Sequence, residues 1–131
     1  MILTNAMYDF EDAKSLFDIE KQKNQADRIY NNTCYHLQQC IEKCLKYILE
    51  KNGIQYQHTH DINDLSWEVD QLNLDNIINN ITGRIFVNAT AYTSWETRAR
   101  YFGKFRESES NVEDAIEICE DLLKYCNSIP V

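Results

Sequence analysis

The chain has 131 residues, 44% of them hydrophobic, and 13 Lys and Arg against 21 Asp and Glu give a formal charge of −8. That length suits one domain, residues 1–131, burying roughly two-thirds of its unfolded surface, and the acidic balance argues against a general nucleic-acid coat. Three Gly and a single Pro, at position 130, leave few interior breakers and favour an all-α fold over a sheet protein needing many turns.

The first helix is expected over about Asn5 to Lys23, with Ala6, Phe10, Ala13 and Phe17 on its packing face. Asn5 is its expected N-cap, while Asp9, Glu11 and Asp12 suit the positive end of the helix dipole. After a polar joint at Asn24 and Gln25 comes the stretch around which the chain is organised, Tyr30 to Lys51. Tyr30, Cys34, Leu37, Ile41, Cys44, Leu45 and Ile48 repeat at the spacing of an amphipathic helix. Extended back to Ala26, this central helix would measure roughly 37 Å at 1.5 Å per residue. Arg28, Tyr35, Gln39, Glu42 and Lys46 form its expected outer face, and Gly53 its stop in a left-handed conformation.

Ile54 to Thr59 reads as a connector, and Thr59 or Asp61 as the cap of a short third helix with Ile62, Leu65 and Val69 inward. A fourth helix begins near Leu74 and keeps its stripe through Ile78, Ile81, Ile85, Ala89 and Tyr92 despite Gly83, fraying or bending between Thr93 and Tyr101. Phe102 to Ser110 reads as a loop. Ser110 or Asn111 then caps a final helix whose stripe is Val112, Ala115, Cys119, Leu122 and Cys126.

The five cysteines, Cys34, Cys40, Cys44, Cys119 and Cys126, show no C-x-x-C spacing and read as buried thiols of a reducing compartment. With no apolar run of membrane-spanning length and no signal-like N-terminus, a soluble cytoplasmic chain is expected. His58 and His60 lack a completing ligand cluster, so neither a metal site nor a cofactor is expected.

Charge is unevenly spread. Residues 61–83 hold five acids and no Lys or Arg, residues 84–106 hold five bases and one acid, and seven acids follow from Glu107 onward. From this basic island, Arg98, Arg100, Lys104 and Arg106 can converge on phosphates, with Tyr101 available to stack on a base. The alternative is that these bases balance Glu109, Glu113, Glu117 and Glu120 of the final helix, with Glu96 beside Arg100. His60 with Asp61 fits a helix-start cap better than an acid–base pair. Trp67 and Trp95 read as core or interface aromatics.

Three stretches carry a family resemblance. Gln38-Gln39, Glu42-Lys43 and Leu45-Lys46 in the central helix, Thr59-His60-Asp61-Ile62 before the third, and Arg100-Tyr101-Phe102 ahead of the last stand in the order and spacing of HEPN domains. The resemblance spans roughly residues 5 to 127; Cys40 and Cys44 replace the usual alanines and Phe102 the usual proline. It implies an antiparallel four- to five-helix bundle, often a homodimer. It also implies partnership with an MNT-type minimal nucleotidyltransferase, frequently as a toxin–antitoxin pair.

Other HEPN members are ribonucleases with an Arg followed after four to six residues by His, a pair suited to metal-independent RNA cleavage. Here Arg28 precedes His36 by seven intervening residues, and no histidine follows Arg84, Arg98, Arg100 or Arg106. The expected function is therefore a non-catalytic interaction and nucleotide-binding module, with no catalytic residue assigned. Its expected partner surface is His36, Gln39, Glu42, Lys43 and Lys46. The alternative is a toxin ribonuclease acting on RNA as a dimer. No G-rich phosphate loop or nucleophile turn supports an independent hydrolase.

Overall fold

A computed structural model describes residues 1–56, 59–99 and 106–130 in full, and residues 100 and 101 by backbone alone. It is an all-helical bundle: α1 (Ile2–Lys21), α2 (Asn31–Lys51), α3 (Ile62–Gln71), α4 (Asn76–Tyr101) and α5 (Glu109–Ser128), with a 3-10 turn at Gln25–Asp27. No strand occurs among the described residues, and none of their helices is long and apolar enough to cross a membrane.

α2 is the post of the bundle, packing against each of the other four helices. Its stripe of Leu37, Ile41, Leu45 and Ile48 is fully buried, as are Ile62 and Leu65 of α3, Ile85 and Trp95 of α4, and Leu122 of α5. Each such aliphatic side chain contributes roughly 1.5–3 kcal/mol of transfer free energy. All five cysteines are buried free thiols, and burial pushes those of Cys34 and Cys119 well above the ordinary range.

The ends of the helices follow local chemistry. Gly53 takes φ +70 after α2, and Ile54 donates back to the Leu49 carbonyl at 2.9 Å, the expected left-handed stop. Asp61 caps α3, accepting from the amides of Asn63 and Asp64 at 2.9 and 3.2 Å.

Several expectations need correction. α1 starts at Ile2, so Asn5 lies inside it and donates its amide to the Met1 carbonyl instead of capping. The central helix does not run back to Ala26, because Arg28 is extended (φ −74, ψ 128). Its guanidinium closes the end of α1, donating to the carbonyls of Lys21 and Lys23, each at 3.1 Å. α4 bends at Asn88 (φ −128, ψ 23), ahead of the Thr93–Tyr101 stretch where fraying or bending is expected, and continues to Tyr101. α5 is capped by Ser108, which accepts from the Asn111 amide at 3.1 Å. Ser108 wins over Ser110 because Glu107 beside it receives the Ser108 amide and the Asn111 side chain. Of the two tryptophans, read as core or interface aromatics, Trp95 is core and Trp67 exposed, which leaves that reading standing.

Candidate functional site

The expected outer face of α2 is where sequence and structure part most. Gln38, Glu42 and Lys46 recur every four residues and form one polar ridge. Because α3 and α4 pack beside α2, this ridge is covered: Gln38 and Glu42 are buried. Glu42 therefore does not project outward as expected.

Its carboxylate is fully engaged. Gln38 donates to Oε1 at 3.0 Å and Lys46 to Oε2 at 3.0 Å. The imidazole Nδ1 of His60 also faces Oε1, at 3.0 Å. A second carboxylate, Glu96 of α4, lies 3.7 Å from the same ring nitrogen. Facing two acceptors, Nδ1 is the donor.

The Thr59-His60-Asp61 segment holds the ring there. Thr59 accepts the Asp61 amide at 3.0 Å, Asp61 caps α3, and the Ile62 amide donates to Thr93 of α4 at 3.0 Å. His60 thus bridges α2 and α4 from the start of α3. Its side chain remains 68% exposed, against 6% for Glu42.

Beside this cluster, Asp61, Asn63, Thr90, Thr93, Ser94, Thr97 and Arg98 line a groove of about 440 Å³. The spacing of Thr90, Thr93, Ser94, Thr97 and Arg98 puts them on one helix face. The opposite side of α4 is anchored by Tyr92 and Trp95, whose rings meet edge-on at 4.9 Å, and by the Trp95 indole bonded to Glu107 at 2.9 Å. Burial alone would raise the Glu107 carboxyl. The bonds from Trp95, Ser108 and Asn111, with the Arg98 charge, hold it below the usual carboxylate value instead.

The described bases of the island meet different partners. Arg98 lines the groove. Arg84, outside the expected clamp, reaches α5, with Asp121 at 2.6 Å and Glu117 at 3.8 Å. Arg106 donates to the Ala26 carbonyl at 2.8 Å. Lys104 and the side chains of Arg100 and Tyr101 lie outside the described residues, as does His58. Glu109, expected among the partners of the island, instead meets Lys21, Arg28 and Tyr30.

The remaining expected interface residues divide between two sides of α2. His36 and Lys43 both contact Asp9 of α1, His36 at 2.8 Å. Gln39 donates to Gln38 at 2.6 Å. Asp9 is the residue the sequence reading missed: it was assigned to the helix dipole, yet it is buried as the hub of an α1–α2 contact. Its spacing from Ala6 and Ala13, one turn from each on the same face of α1, was the available signal.

The HEPN domain family model matches residues 1–129. The fold is similar to the crystal structure of an archaeal HEPN homologue, at a TM-score of 0.59 and 22% identity over 96% of this chain and 92% of that one. No curated protein matches the chain.

Proposed function

Because the chain belongs to the HEPN domain family, we propose that it is a non-catalytic interaction module that binds a nucleotide and partners an MNT-type nucleotidyltransferase in a toxin–antitoxin pair. The observation carrying this reading is the groove of Asp61, Asn63, Thr90, Thr93, Ser94, Thr97 and Arg98. Its volume falls within the range of small-molecule sites. Its lining supplies hydroxyls and a guanidinium able to grip phosphate in a bidentate manner, with no histidine among the described lining residues.

Both described histidines are held by carboxylates, His36 by Asp9 and His60 by Glu42. In this reading those contacts give the two histidines structural roles instead of the acid–base role of the family's ribonucleases. The exposed edge of the α2 ridge and the groove mouth supply the partner surface in this reading, in which the chain acts as a cytoplasmic homodimer. Five buried free thiols accord with a reducing compartment.

The direct test is co-purification with the product of the adjacent reading frame. A small protein with a G-S-x-A-x-G-x-x-x-x-S-D-x-D-like stretch is expected there, forming a complex at micromolar concentration. No complex with such a protein contradicts the partnership. RNA incubated with the chain at high concentration without metal is expected to stay intact; cleavage abolished by Arg98→Ala overturns the non-catalytic part.

A further inference from the structure

No ligand cluster surrounds His60 in the chain's order, but the fold brings it two carboxylates, Glu42 of α2 and Glu96 of α4. We propose that Glu42, His60 and Glu96 form a binding site for a first-row divalent cation, with zinc the expected occupant. The inference is independent of the nucleotide and partner readings.

Three observations converge on it. One ligand atom from each residue lies within 4.8 Å of the other two. The Nδ1 of His60 stands 3.0 Å from Glu42 Oε1 and 3.7 Å from Glu96 Oε2. A tetrahedral ion with bonds of about 2.0–2.1 Å needs ligand atoms about 3.3 Å apart, a value between those two. Both pairs lie within about 0.4 Å of that spacing, and the ion takes the place of the Nδ1 proton, which moves through solvent to Nε2 so that the ring stays neutral.

The second observation is support for the ligands. Glu42 is fixed by Gln38 on one oxygen and Lys46 on the other, each at 3.0 Å. Such outer contacts orient a ligating carboxylate and tune its affinity. The carboxylates of Glu42 and Glu96 attract a cation even with the Lys46 ammonium bonded to Glu42.

The third is access. The His60 side chain is largely exposed while Glu42 is buried, so an ion seated between them keeps its remaining positions toward solvent. A set of one imidazole nitrogen and two carboxylate oxygens suits zinc, with manganese and cobalt as weaker alternatives. An open, three-ligand arrangement leaves a position for water or an incoming oxygen donor.

Calorimetric titration of the full chain with zinc chloride tests the site. One zinc per chain is expected, with affinity lowered at least about tenfold by His60→Ala and by Glu96→Gln. His36→Ala, on the other side of α2, should leave it unchanged. Substitution with cobalt(II) should give ligand-field bands without thiolate charge transfer. The proposal is overturned by a wild-type chain that binds no zinc, by His60→Ala and Glu96→Gln variants of unchanged affinity, by equal loss in His36→Ala, or by a thiolate band revealing that cysteines are the ligands. Circular dichroism of each variant establishes that the fold is retained.

Discussion

α2 carries two constellations of the same chemistry on its two flanks, and they differ in one decisive respect. On one, Asp9 of α1 meets His36 and Lys43; on the other, Glu42 meets His60 and Lys46. Each is a nearly buried carboxylate held by an imidazole and an ammonium. The first is a closed clasp: one carboxylate serves two donors, both from α2, and its function is to hold α1 against the post. The second joins three elements, adds Glu96, and leaves its histidine exposed beside a polar groove. The same three kinds of charged group thus link two helices on one flank and, on the other, link three elements while leaving the imidazole exposed.

Removing the carboxylates is the strongest way to break this symmetry. Glu42→Ala leaves Lys46 largely buried without its counter-ion and should cost about 3 kcal/mol in urea-unfolding free energy. Asp9→Ala strands Lys43, which is more exposed than Lys46, and a smaller loss of about 1–2 kcal/mol is expected. A larger loss at Asp9 would reverse the assignment of the deeper site.

The α5 entrance sharpens the comparison from outside both constellations. Ser108→Ala removes the cap and should cost about 1 kcal/mol. Glu107 has a folded pKa below its ordinary value of 4.5. Its contribution is therefore complete above that value and is lost as pH falls through the lower folded one. The gap in melting temperature between wild type and Glu107→Gln should close on acidification below about pH 4.5; a gap that widens there contradicts the depressed pKa. The smallest effect is expected at the open histidine: His60→Ala should alter stability by no more than about 0.5 kcal/mol, whereas His36→Ala, inside the closed clasp, should cost about 1 kcal/mol.

The post itself was legible because Leu37, Ile41, Leu45 and Ile48 keep one period without interruption and are all fully buried. Gly53 and Asp61 were legible for the same local reason, since each satisfies a helix end within a few residues. Burial of Glu42 was not, because a stripe reveals one covered face and says nothing of a helix wrapped on several. The meeting of His60 with Glu96 depends on how α4 crosses α2, which no local pattern encodes. The bend at Asn88 fell where sequence offers no breaker, while Gly83, the obvious candidate, stays helical. For the basic island, charge alone could not say that Arg84 turns to α5, Arg106 to the Ala26 carbonyl and Arg98 to the groove.

In the proposed reading the nucleotide binds on the open flank, bounded by His60, Asp61 and the Thr90–Arg98 face. Amide chemical-shift mapping of the labelled chain during ATP titration tests it most directly. Perturbations should concentrate at residues 60–64 and 90–98 and should weaken about tenfold or more in apparent affinity on Arg98→Glu. Perturbations centred on Asp9, His36 and Lys43, or an affinity unchanged by Arg98→Glu with the fold intact, would contradict the account.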